Sequence, residues 1–296
     1  MKDIKYEEIL NARTLDDILS FTKRYIKKNY PEQSDRDLMY YRLNHGINIY
    51  TDKELLYRYL YSFGEMHIAK LRSAFDVFFA EIDLTNAIVE IIDYGCGQAL
   101  ASSCFLEYIQ NRDYNITVER IILIEPSEIA LGRGLVHIEK IFPNNIEIVP
   151  IVKNIENLKK NDIKTNDSNI KIHLFSNILD IETFSLDTLY EIITGTQKGL
   201  NYFFLIGPTS SRPERIEIFY SKFEKIENEI YTVKQDAGEW KIQNRKGNDT
   251  TWTRHIRIFS VKYKSSESKT NRNLINKIEK LQNQNNELEY NLYIAN

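Results

Sequence analysis

Two acids and two glycines, closely spaced, are the residues of this 296-residue chain best placed to do chemistry. The stretch Asp93-Tyr94-Gly95-Cys96-Gly97-Gln98-Ala99 follows an apolar run at 89–92 and precedes a helical pattern that starts near residue 100. A strand that stops at an acid and turns through glycines brings bare backbone up to a ligand. The helix behind the turn points its unsatisfied N–H groups the same way. A second strand pattern also ends in an acid, as Ile121-Ile122-Leu123-Ile124-Glu125-Pro126-Ser127. A carboxylate there can accept from two hydroxyls at once.

Other ligand classes fit less well. A dinucleotide turn wants a third glycine where this chain has Leu100, and a leucine obstructs the close helix–strand packing that glycine permits. No Gly-Lys-Ser or Gly-Lys-Thr occurs, so a Walker phosphate loop is excluded. The only cysteines, Cys96 and Cys104, are too few for a zinc site or a disulfide framework, and no His, Cys and Asp cluster has metal spacing. The plain alternative is a glycine turn that holds no ligand.

Further polar residues sit where they could serve a cleft. Ser176 and Asn177 close a fourth strand pattern and can hydrogen-bond a ligand, and Asp180 follows about one turn later. As a base Asp180 suits proton removal; as an acid in the first turn of a helix it is ordinary. His67 lies on a helix just before the first strand, either reaching the cleft or satisfied on an inner face. The small-residue loop at 207–212 follows the fifth strand pattern. Residues 23–42 interleave Lys23, Arg24, Lys27, Lys28, Arg36 and Arg42 with Tyr25, Tyr30, Tyr40 and Tyr41. That is either a nucleic-acid surface or a solvated helical face.

The elements that must position these groups follow from the hydrophobic period. Residues 4–84 read as helical, with one helix over 52–80 whose stripe is Leu56, Leu60, Phe63, His67, Leu71, Ala74 and Phe78. Thr51 or Asp52 is its N-cap, and Asn44-His45-Gly46 ends the helix before it. From residue 89 strands (89–94, 120–124, 146–150, 171–175, 202–206) alternate with helices (99–111, 127–141, 154–161, 182–195, 212–224). That alternation gives an α/β fold with a mostly parallel sheet. Strands at 230–235 and 255–262 close it as an antiparallel hairpin, and the connection 236–254, with Trp240 and Trp252, reads as a flap. Residues 264–272 are a polar linker. Leu274, Ile278, Leu281, Asn285, Leu288 and Leu292 then repeat at 4-3-4-3-4 spacing. This coiled-coil-like helix either self-associates through 273–296 or packs back on its own domain. The organisation is thus a helical N-terminal cap (1–84), an α/β domain (85–263) and a linker with an amphipathic helix (264–296). Charge is balanced, with 39 basic and 42 acidic residues. No apolar run approaches the roughly 20 residues of a membrane span, and the N-terminus has no apolar signal core. The expectation is a soluble, cytoplasmic protein with no membrane partner.

Taken together, Asp93 to Ala99, Glu125-Pro126 and the terminal hairpin resemble the class I S-adenosylmethionine-dependent methyltransferases over residues 84–263. The resemblance implies a Rossmann-like fold and S-adenosyl-L-methionine as cofactor. It implies that Asp93, Tyr94, Gly95, Gly97 and Gln98 lie under the methionine and ribose, and that Glu125, beside Pro126, holds the ribose hydroxyls. Asn154 would sit near the adenine. The end of the fourth strand, Ser176 and Asn177, would face the methyl group, with Asp180 and His67 as catalytic candidates. The helical N-terminus would cover the pocket. The chain departs from the family pattern in having Ala99 where a third glycine is common, and in lacking two prolines and an aromatic after Asn177. Base N-methylation of the amino-directed kind is therefore not expected. The acceptor, whether RNA, protein or small molecule, is left open. The alternative is a non-catalytic module that binds the cofactor, or nothing, and associates through its C-terminal helix.

Overall fold

The computed structural model describes residues 11–143, 146–209, 212–224, 229–243 and 247–263. Four helices come first: α1 (Leu15–Asn29), α2 (Gln33–Arg42), α3 (Lys53–Tyr59) and α4 (Glu65–Glu81). Strands and helices then alternate through β1 (Ile88–Tyr94), α5 (Leu100–Asn111), β2 (Thr117–Ile124), α6 (Glu128–Ile141) and β3 (Glu147–Ile151). They continue with β4 (Ile170–Ser176), α7 (Leu186–Thr194), β5 (Gly199–Gly207), α8 (Glu214–Glu224), β6 (Glu229–Gln243) and β7 (Asp249–Tyr263). The sheet order is β3-β2-β1-β4-β5-β7-β6. Strands β1 to β5 are parallel, and β7 inserts antiparallel between β5 and β6. This is the Rossmann-like α/β arrangement with a closing hairpin that the strand–helix alternation predicts.

The sheet is buried on both faces, as parallel strands require. Successive side chains along a strand point to opposite faces. Ile91 therefore joins a core with Leu71, Phe75, Phe78 and Phe105, whereas Ile92 joins one with Phe175, Leu189, Phe219 and Phe223. Leu15, Ile18 and Leu19 of α1 and Leu71 and Phe75 of α4 belong to the first core; α4 packs on the sheet itself, and α1 on α5, α6 and the turn Leu60–Gly64 at the start of α4.

Several elements differ from expectation. The helix expected over 52–80 is two helices joined by a π-helical turn, Leu60–Gly64. An inserted residue widens one turn without breaking the helix, and it leaves the apolar stripe at the same three- and four-residue gaps. Asp52 caps α3 by accepting from the Glu54 N–H at 2.9 Å. Asn44–Gly46 is a short 3-10 turn. The helix expected at 154–161 is two 3-10 turns, Ile155–Asn157 and Lys160–Ile163, whose three-residue period also fits Ile155, Leu158 and the intervening polar residues. Within the expected flap at 236–254, residues 236–243 and 249–254 are strand. Beyond Gly207↔His255, the last pair with β5, β7 and β6 stay paired as a two-stranded arm with Trp240 opposite Trp252. The arm projects past the carboxyl end of β5. Arg254 holds it by an ion pair with Asp236 (2.6 Å) and a hydrogen bond to Ser73 of α4. The coiled-coil-like pattern lies outside the described residues. Among the described residues no helix is long and apolar enough to cross a membrane.

The cap is joined to the sheet by Ser127. Its hydroxyl accepts from Ala130 N–H at 3.2 Å, capping α6, and donates to the carbonyl of Tyr50. Ser127→Ala removes both bonds and should cost about 1–2 kcal/mol of unfolding free energy, measured as a lower urea midpoint with an unchanged slope.

Candidate functional site

The turn after β1 is built from left-handed backbone. Gly95, Gly97 and Ala99 have φ of 61°, 53° and 53°, a conformation cheap for glycine and unfavourable for a residue with a Cβ. A Cβ on Gly97 would meet nothing within 4 Å, so its Cα faces open space. A Cβ on Gly134 of α6 would stand 2.8 Å from the Ala99 Cβ. The turn is thus approached closely on two sides, by α6 at Gly134 and by Ile178, whose Cδ1 would stand 2.5 Å from a Cβ on Gly95.

Two carboxylates hold the turn. Asp93, fully buried, accepts from the Ser102 N–H (3.1 Å) and Oγ–H (2.7 Å), and so satisfies the N-terminus of α5. Burial pushes its carboxyl up to about 7; the two Ser102 bonds hold it down and the charge of Glu125 raises it further. Glu125 accepts from the Gly97 N–H at 3.0 Å through one oxygen and from the Ser127 N–H at 2.8 Å through the other. Burial raises its carboxyl as well, against those two bonds. Each oxygen keeps a lone pair for a ligand donor.

These groups border a cavity of about 290 Å³. Asp93, Gly95, Gly97 and Gln98 line it from the β1 turn, and Glu125 and Pro126 from the end of β2. Asn154 enters after β3, and Ser176 and Asn177 from the end of β4. Tyr94 does not line it. Its position on the strand points it to the opposite face, where its ring stacks on Phe175 at 4.3 Å and its hydroxyl meets His173 Nδ1 at 3.1 Å. Gln98 lines the wall while its Nε2 donates to the Leu56 carbonyl at 3.1 Å, a second tie to the cap.

The cap supplies the roof: Gly46 to Tyr50, Leu56, Tyr59 and Leu60. His67 lines the cavity too, stacked on Phe63 (6.0 Å) and edge-on to Tyr59 (5.8 Å). Burial, and then the charge of Lys70, hold its imidazole well below the usual range, so it is neutral near pH 7. Asp180 is half-buried and stands off the cavity wall, facing Lys70 by charge. Sequence reasoning missed Lys70, which is 1% exposed and donates to Asn177 Oδ1 at 2.9 Å. Its signal was its position three residues after His67 on the inner face of the same helix.

The basic and tyrosine-rich segment 23–42 is largely a solvated face, with Arg24, Lys27, Lys28, Tyr40, Tyr41 and Arg42 exposed and the rest tied to neighbouring groups. Tyr25 stacks on Tyr57 at 4.0 Å and donates to Glu54. Lys23 pairs with Glu65 (2.7 Å) and Arg42 with Asp52 (3.2 Å), while Arg36 donates to the Tyr30 carbonyl (2.6 Å). Among the described residues no group of three or more His, Cys, Asp or Glu could hold a metal ion.

No family model matches the sequence, and no curated protein matches it. Solved structures similar to the chain include a precorrin methyltransferase from Geobacter metallireducens, at 14% identity and a TM-score of 0.41, covering 72% of this chain and 91% of that one. A magnesium protoporphyrin IX methyltransferase from Synechocystis with bound S-adenosylmethionine is 9% identical with a TM-score of 0.39, covering 81% and 97%. An S-adenosylmethionine-dependent O-methyltransferase from Thermotoga maritima is 13% identical with a TM-score of 0.40, covering 65% of each chain. These likenesses are distant.

The raised Asp93 carboxyl has a consequence for stability. The folded state binds this proton more tightly than the unfolded chain, whose ordinary value is 3.8. Its contribution is therefore full below about pH 4 and is lost as pH rises through about 7. Asp93→Asn should flatten that part of the pH dependence of the urea midpoint, leaving the smaller slope of the same sign from Glu125.

Proposed function

We propose that the chain binds S-adenosyl-L-methionine in this cavity and transfers its methyl group to an acceptor. The observation that carries the reading is Glu125, clamped by the Gly97 and Ser127 N–H groups with a lone pair left on each oxygen, beside the open face of Gly97. A carboxylate held in that way suits a ribose diol. Asp93, with no protein donor at its second oxygen among the described residues, suits the ammonium of a methionine. Asn154 and Pro126, toward β3, suit the adenine end. When bound, the cofactor supplies a methyl group on a sulfonium, open to in-line displacement. The chain's own contribution is positioning and exclusion of water. Gln98 and Ser127 hold the cap down on the turn, and Leu56, Tyr59 and Leu60 provide an apolar roof.

Neither expected catalytic candidate is well placed as a base. His67 is neutral but weakly basic, and Asp180 stands off the wall. The reading therefore needs no protein base. Residues 85–263 would form the cofactor domain and 1–84 its cover.

Calorimetric titration with S-adenosylmethionine, S-adenosylhomocysteine, NAD and ATP tests the assignment. The two sulfur compounds should bind and the other two should not. Glu125→Ala should weaken S-adenosylmethionine by at least about tenfold through loss of charge-assisted bonds, and Gly97→Arg should abolish binding. Full binding by Gly97→Arg would refute the placement.

A further inference from the structure

The end of β4 is a floor that gives hydrogen bonds and has few acceptors to offer. Lys70 crosses from α4, and its Nζ donates to Asn177 Oδ1 at 2.9 Å. A lysine ammonium has only protons to give, so this contact fixes which way the carboxamide faces. Asn177 Nδ2 then donates to Ser176 Oγ at 3.1 Å. The Asn177 N–H goes to the Ile206 carbonyl at 2.7 Å, which anchors the residue in its left-handed conformation (φ 55°). With Oδ1 taken by Lys70 and Ser176 Oγ already accepting, the side chains of Ser176 and Asn177 have one hydroxyl proton and one amide proton left. Both residues line the cavity.

Behind this floor lies a buried cation. Lys70 is 1% exposed, and Asn177 is the one hydrogen-bond acceptor that it meets among the described residues. The groups facing it are His67 on its own helix, held neutral, and Asp180 on the turn after β4, whose charge favours the lysine's proton while burial opposes it. An amine approaching the floor would meet only donors, with the Lys70 ammonium behind them. An oxyanion would meet two donors and the field of that ammonium, partly offset by Asp180.

Resting on the methyl-transfer reading, we infer that the acceptor atom is an oxygen that arrives without its proton: the carboxylate or phenolate of an acidic hydroxyl compound. The oxygen's lone pair forms the O–CH3 bond as the S–CH3 bond breaks and leaves its electron pair on sulfur. No proton has to be removed at the moment of transfer, which agrees with the lack of a well-placed base. Lys70 acts through Asn177 and is a positioning residue.

Benzoate and benzylamine, matched in size and opposite in charge, are the probes. They are titrated into the full chain by calorimetry, with and without S-adenosylhomocysteine. Benzoate should bind at least about tenfold more tightly than benzylamine. Its affinity should fall as pH rises from about 7 to about 9, because burial has lowered the Lys70 ammonium to about 8. Lys70→Met keeps the buried stem and removes the charge, and should abolish both the preference and its pH dependence. Asn177→Asp should reverse the preference by placing a carboxylate on the floor. Equal affinity of the two probes, binding of neither, or a preference unchanged in both variants overturns the inference. The two proposals fail separately. Benzoate binding without S-adenosylmethionine binding keeps the anion site and removes methyl transfer, whereas S-adenosylmethionine binding with a preference for benzylamine does the reverse.

Discussion

The Glu125 carboxylate joins three parts of the chain. It ends β2, receives the backbone of the turn after β1, and receives the backbone of Ser127 at the start of α6. Two parallel strand ends lie side by side by virtue of the sheet, but the loops above them are free to diverge. A buried carboxylate needs donors, and here the nearest are backbone N–H groups of both loops. The two backbone bonds offset the desolvation that raises its carboxyl, and in doing so hold those loops together. Without the clamp, the left-handed turn would keep its bonds to Ile124 and His137 but lose the contact that fixes Gly97 beside the cavity.

The cap depends on the same region. Gln98 and Ser127 belong to the two loops that Glu125 joins, and each bonds a backbone carbonyl of the cap, at Leu56 and Tyr50. Roof and floor are thus fixed to one another by polar contacts at the rim, and apolar side chains fill the interior between α1, α4 and the sheet. That division suits a site that must exclude water and still admit a ligand. The strong contacts sit where the chain turns, and the polar groups of those turns face the apolar side chains of the cap across the cavity.

What the sequence disclosed divides along physical lines. Asp93, Gly95, Gly97 and Glu125 were legible because each is a residue type that its place demands, an acid or a glycine at the end of an apolar run. The order of strands and helices was legible because the period changes sharply at residue 89. Lys70 was not, because a lysine on an inner helical face breaks the apolar pattern, and its partner Asn177 is more than a hundred residues away. Tyr94 was assigned with its neighbours in the turn, although a strand sends adjacent side chains to opposite faces. The arm at 236–254 escaped because its side chains alternate between partial and full exposure. A two-stranded ribbon outside the core has little apolar alternation to reveal it.

The π-helical turn at Leu60–Gly64 separates the cap into two independently phased parts. A residue advances an α-helix by about 100°, so one additional residue in a turn resets the direction in which everything before it faces. Upstream lie Tyr50, Leu56 and Tyr59, which shape the roof; downstream lie His67, on the cavity wall, and Lys70, bonded to Asn177 at the end of β4. Changes of length or sequence in residues 44–59 can therefore remodel the roof while α4 keeps its grip on the sheet and its lysine on Asn177. The fold thus sets a buried cation on one side of a rotational joint and an apolar roof on the other, so that either can change shape without moving its counterpart.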